Sequence, residues 1–243
     1  MLAIFAANAQ TTTTPTQVDK ATQEAIQKKA DEERTAMDWP NIKKYQDDNT
    51  QLIAAAPDPK RVVFMGNSIT EFWRVNDSLF FTGSYVNRGI SGQTTPQMLV
   101  RFREDVINLK PAMVVILAGI NDIAENTGAN KLENVFGNIV SMVQLAQAAH
   151  IKVVISSVLP ANHFPWRPSI IPTETVIKLN QMLKNYADQN NIVYLDYYSA
   201  MVDNEKGLPK TLSGDGVHPN LAGYKIMEPL VIKAIADAMK RKL

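Results

Sequence analysis

From Arg61 onward the chain alternates short β-branched apolar runs with helix-length amphipathic stretches. The strand-like runs are Arg61–Met65, Ser84–Asn87, Ala112–Ala118, Lys152–Ser157 and Asn191–Leu195. Between most of them lie helix-like segments, Thr95–Leu109, Lys131–Ala149 and Thr173–Gln189, and Asn220–Lys240 closes the chain as a last helix. Runs such as "AMVVILAG" and "KVVISSVL" are apolar at nearly every position, as expected of parallel strands buried on both faces. The pattern predicts an α/β fold: a mostly parallel five-stranded sheet with helices on both faces, a three-layer α/β/α sandwich.

The 243 residues suffice for one well-buried core. We expect residues 1–19 to be a signal remnant or flexible N-terminus, 20–59 a helical extension, and 60–243 the main domain. In the extension, "KATQEAIQKKADEERTAM" reads as a polar helix, and "WPNIKKYQDDNTQLI" as a second with Pro40 near its start. Lys20–Ile53 is read either as a homodimer surface or as an N-terminal brace.

The start, "MLAIFAANAQ", is apolar, and "ANA" resembles a signal-peptidase site, although no charged segment precedes it. It is read as a truncated secretory signal, which places the protein in the periplasm or outside the cell. The alternative reading, a plain apolar N-terminus, leaves it cytoplasmic. No later stretch reaches the ~18 uncharged apolar residues of a membrane span, so no stable membrane insertion is expected.

Lysines and arginines number 25 against 24 acidic residues, a balance that gives no sign of a nucleic-acid partner. There is no cysteine, which excludes disulfides, thiolate catalysis and cysteine-ligated metals. Histidine chemistry must choose among His150, His163 and His218.

In open α/β sheets, ligands sit beyond the carboxyl ends of the strands. There this sequence places "GNSIT", "NRGISGQTT", "AGIND" and "SSVLPANHFPWRP". Ser68 follows the first strand. It is either the cap of the next helix or a nucleophile near that helix's N-terminus, where amide dipoles favour developing negative charge. A nucleophilic serine needs a base. His218 in "SGDGVHPNLAGY" can supply one, with Asp215 close enough in sequence to orient its imidazole. Asn121 offers a side-chain amide and Gly92 an unobstructed backbone N–H, both suited to an oxyanion. Turn-forming roles for "GIND" and "GISG" remain open alternatives, and Asp122 reads as a cap for the segment that follows it. Asp215 and His218 alone do not complete a metal site, and "GISGQTT" lacks the lysine and glycine spacing of a phosphate loop. No cofactor and no metal are expected.

Taken together, Ser68 in "GNSIT", Gly92 in "RGISGQTT", Asn121 in "AGIND", and Asp215 with His218 in "DGVHP" resemble the ordered blocks of the SGNH/GDSL hydrolase superfamily. The resemblance runs from about Lys60 to the C-terminus. It implies a flavodoxin-like sheet and a serine esterase: Ser68 as nucleophile, His218 as general base, Asp215 orienting it. It further implies an oxyanion hole made by the Ser68 and Gly92 N–H groups and the Asn121 side chain. One departure is Asn67, where the family usually has aspartate; asparagine keeps the hydrogen-bonding capacity without the charge, and its expected role is to shape the nucleophile turn. The compact form is similar to carbohydrate acetylesterases and platelet-activating-factor acetylhydrolase-type members. The expected substrate is therefore a small acylated molecule, an acetyl ester on a sugar. A phospholipid or lysophospholipid esterase, and a non-catalytic carbohydrate-binding protein on the same fold, are the alternatives. Substrate-binding candidates are Asn67, Arg88, His163, Trp166 and Arg167. Trp166 is placed either on a sugar ring or in the core, Arg88 either at the site or in an ordinary salt bridge, and His163 on a surface loop.

Overall fold

A computed structural model describes residues 20–241. The signal-like start falls outside these described residues. The chain divides into two units, Met1–Trp39 and Pro40–Leu243. Within the first lies α1 (Lys20–Met37), a polar helix with ion pairs Lys28–Glu32 and Lys29–Glu33 one turn apart. The second helix expected of the extension belongs to the second unit, as a 3-10 turn (Ile42–Tyr45) followed by α2 (Gln46–Ala54). Among the described residues no helix is long and apolar enough to cross a membrane.

Five strands form one sheet: β1 (Val62–Gly66), β2 (Tyr85–Gly89), β3 (Met113–Leu117), β4 (Lys152–Ser156) and β5 (Val193–Leu195). All pairings are parallel, in the order β2-β1-β3-β4-β5. Every residue of β1 and β3 is buried, which is why these strands read as unbroken apolar runs. Each buried valine or isoleucine contributes about 1.5–3 kcal/mol by leaving water.

The connecting helices are α3 (Ser68–Asn76), α4 (Thr95–Asp105), α6 (Leu132–Ala148) and α7 (Thr173–Gln189), with one-turn helices α5 (Ile120–Ile123) and α8 (Tyr197–Met201) and the closing α9 (Leu221–Lys240). α3 and α9 share one face of the sheet. There Trp73 stacks on Tyr224 with centroids 5.3 Å apart, and the Tyr224 hydroxyl donates to Ile69 O at 2.8 Å. α4, α6 and α7 cover the other face. The order reverses between β1 and β3, so the crevice of a doubly wound sheet opens beyond their carboxyl ends.

Every strand and three of the four long helices differ from the expected ranges at one end or both, α4 most among the helices, since it ends at Asp105 and a 3-10 turn takes Ile107–Leu109; two of the strand starts have a visible cause. Arg61 stays outside β1, with its guanidinium on the carbonyls of Leu109 and Leu52. β5 begins at Val193, because Asn191 takes a left-handed φ of 54° in the turn that leaves α7.

Candidate active site

Ser68 is the first residue of α3 and not its cap. Asn67 caps the helix, its Oδ1 accepting the Ile69 N–H at 3.0 Å. The Ser68 hydroxyl is thereby left for another partner, and it lies 2.8 Å from His218 Nε2. On the other side of the ring, His218 Nδ1 lies 2.6 Å from Asp215 Oδ2. These contacts fit Nδ1 carrying the proton toward the carboxylate, with the Nε2 lone pair facing the hydroxyl.

Asp215 is held by its own loop. Its Oδ1 accepts the N–H groups of Val217 (2.9 Å) and His218 (2.8 Å). Partial burial pushes its carboxyl upward. The hydrogen bonds from the His218 ring and from the His218 and Val217 N–H groups outweigh that and bring it down to about 2. Ser213, which the sequence reading passed over, ties the same turn. Its Oγ donates to His218 O at 2.8 Å and accepts Gly216 N–H at 2.9 Å.

The oxyanion candidates leave the ends of three adjacent strands. Gly92 follows β2, at φ 75° in a turn closed by Gln93 N–H on Ile90 O; a side chain is strained at that φ. Glu71, in the first turn of α3, holds this turn by accepting both the Ser91 N–H and the Ser91 hydroxyl at 2.6 Å. Lys44 pairs with the same carboxylate. Asn121 follows β3 and is buried; its Nδ2 donates to Gln93 O at 3.0 Å, next to Gly92, and an amide carries two such donors.

Asp122 does not cap the segment after it. Its carboxylate reaches across to the start of α4, accepting the Thr95 N–H (2.9 Å) and the Thr95 hydroxyl (2.7 Å). Burial raises its pKa to about 6 against those hydrogen bonds.

Trp166 is not in the core. It is 41% exposed and lies 5.9 Å, centroid to centroid, from the His218 ring. Phe72, 37% exposed, lies 5.4 Å from the same ring, so two solvent-facing aromatics flank the histidine. His163 sits on the surface and packs on the Asp215–His218 loop: a Cβ on Gly216 would come within 2.5 Å of its ring. The Arg167 guanidinium reaches Glu125 O at 3.5 Å and is exposed. Asn67 and Arg88 offer no surface to a substrate, both being fully buried. Of the two readings of Arg88, the ion pair is the one present, with Asp48 at 2.5 Å. Among the described residues, no three His, Asp or Glu side chains gather into a metal cage.

Residues 64–226 match the profile of the GDSL-like Lipase/Acylhydrolase family. A GDSL-like lipase of Bacteroides thetaiotaomicron is 50% identical, with 83% of this chain and 100% of that one covered and a TM-score of 0.79. A Bacteroides fragilis chain proposed to be an acylhydrolase is 52% identical over 84% of this chain and 99% of its own, with a TM-score of 0.81. An acetylxylan esterase of Geobacillus stearothermophilus is 27% identical over 62% of this chain and 71% of its own length.

Proposed function

The chain belongs to the GDSL-like lipase/acylhydrolase family, within the SGNH superfamily, and is a carboxylic ester hydrolase; from that premise we propose that it removes acetyl groups from a carbohydrate by a Ser68–His218–Asp215 triad. The continuous contact from Ser68 Oγ through His218 to Asp215 carries this reading.

His218 Nε2 takes the Ser68 proton as Oγ attacks the acyl carbon. The carbonyl oxygen becomes an oxyanion, which accepts hydrogen bonds from the Ser68 N–H, the Gly92 N–H and Asn121 Nδ2. The imidazolium is stabilised by Asp215, which stays ionised because its hydrogen bonds hold it at about 2. His218 then protonates the departing alcohol, leaving an acetyl-serine. Water, activated by the same nitrogen, releases acetate and restores Ser68.

The exposed rings of Trp166 and Phe72 beside His218 support a sugar as the alcohol, since apolar sugar faces stack on such rings. The likeness to an acetylxylan esterase points the same way. The test is acetate release from acetylated xylo-oligosaccharides, beside 4-nitrophenyl octanoate. Turnover of the sugar acetate that disappears in Ser68→Ala supports the reading. Preference for the octanoate replaces it with a longer-chain esterase.

A further inference from the structure

The oxyanion donors assigned above sit on three separate chain segments; one buried side chain touches two of them and reaches the third through Gln93. Arg101 is fully buried in α4. Its Nη2 donates to Gly66 O (3.0 Å), just before Asn67 and Ser68, and to Arg88 O (2.9 Å), at the base of the Gly92 turn. Its Nε donates to Gln93 Oε1 at 2.5 Å. Gln93 is the residue whose main-chain oxygen accepts Asn121 Nδ2 at 3.0 Å. We propose that Arg101 is a positioning residue that holds the Ser68, Gly92 and Asn121 donors in register; this rests on the oxyanion reading given under Proposed function.

The charge of Arg101 is matched inside the protein. Nη1 meets Asp105 Oδ2 at 2.7 Å, one helical turn away, and both side chains are fully buried. Asp105 Oδ1 accepts Asn49 Nδ2 at 2.7 Å, and Asn49 Oδ1 accepts Arg88 Nη2 at 2.8 Å. The Gln93 amide also donates to Pro40 O at 2.6 Å, fixing the side chain that Arg101 grips. A buried ion pair adds little net stability once its desolvation is counted, so stability alone is a weak reason to place one here. What the guanidinium offers is geometry. Its five N–H donors lie in one rigid plane and can bond several acceptors at once. An ammonium at this position can meet Asp105 but cannot span Gly66 O, Arg88 O and Gln93 Oε1 together.

The test uses the full chain with Arg101→Lys and Gln93→Met, beside wild type and Ser68→Ala. The readouts are kcat and KM on 4-nitrophenyl acetate, inhibition by phenylboronic acid, and the NMR signals of the Ser68 and Gly92 amides and the Asn121 side-chain amide. Phenylboronic acid forms a tetrahedral adduct on the serine and so reports the oxyanion donors. We expect Arg101→Lys to lose roughly 10–100-fold in kcat with KM within about 3-fold, because these donors act in the transition state. Boronate affinity should fall in parallel, and the three amide signals should move. Should Arg101→Lys fail to fold, Gln93→Met, which leaves the Arg101–Asp105 pair intact, carries the test, with a several-fold loss in kcat expected. Folded variants with unchanged kcat, unchanged boronate affinity and unmoved amides overturn the proposal, as does a change in KM alone. If wild type shows no Ser68-dependent turnover, the esterase mechanism fails and the amide signals alone decide: moved signals keep Arg101 as the positioning residue, unmoved ones remove it.

Discussion

Asn67 Oδ1 accepts the Ile69 N–H at 3.0 Å, and that one contact leaves the neighbouring Ser68 hydroxyl to His218. A serine in the capping position would spend its oxygen on the helix. Asn67→Ala should therefore cost about 1 kcal/mol in urea unfolding. It should also lower kcat, as the first turn of α3 frays. Unchanged stability would mean that the cap is not needed to hold the turn between β1 and α3.

Asp215→Asn replaces an acceptor by an amide beside His218 Nδ1 and favours the wrong tautomer. We expect kcat to fall roughly 10²–10⁴-fold with the fold intact. The pH dependence has a definite sign. A carboxyl held at about 2, below its ordinary 3.8, stabilises the native state above pH 3.8, and that contribution is lost as pH falls toward 2. Urea titrations between pH 5 and 2 should show wild type losing stability more steeply than Asp215→Asn. Parallel curves would contradict the hydrogen-bonding account of this carboxylate.

Asp122 predicts the opposite slope. Its folded pKa of about 6 lies above 3.8, so the ionised form is penalised in the native state. Its contribution is most favourable below pH 3.8 and is lost as pH rises through 6, by roughly 3 kcal/mol for a shift of this size. The wild-type minus Asp122→Asn difference in unfolding free energy should rise as pH is lowered from 7 to 4. A flat difference would place the carboxyl in a more polar setting than its burial implies.

The architecture was legible because burial on both faces leaves β1 and β3 with no polar position, and because α7 spans Thr173–Gln189 just as its periodicity suggests. One-turn helices such as α5 and α8 are too short to carry a period. At the site, Ser68, Asp215 and His218 could be placed because each follows a recognisable strand end or precedes a helix. Asp122 on Thr95 and Asp48 on Arg88 could not, since no motif or strand-end rule names the partner of either carboxylate. Of the two roles that the sequence allows Asn67, the cap on the Ile69 N–H shapes the Ser68 turn, and full burial removes the substrate contact. Trp166 could have been core or rim, and only its 41% exposure beside His218 separates the two.

That exposure gives a specificity prediction. Trp166→Ala should raise KM for an acetylated xylo-oligosaccharide roughly 5-fold or more, consistent with the ~1 kcal/mol range of ring contacts, and change kcat/KM for 4-nitrophenyl acetate less. Equal effects on both substrates would assign Trp166 to holding the His218 loop instead.

The most direct test of the central claim is labelling with a serine-reactive fluorophosphonate, located by peptide mass spectrometry and followed alongside esterase activity. The account predicts one adduct, on Ser68, forming in step with loss of activity, greatly slowed in His218→Ala and absent in Ser68→Ala. Full activity in Ser68→Ala, or inactivation that tracks an adduct on another residue, would contradict it.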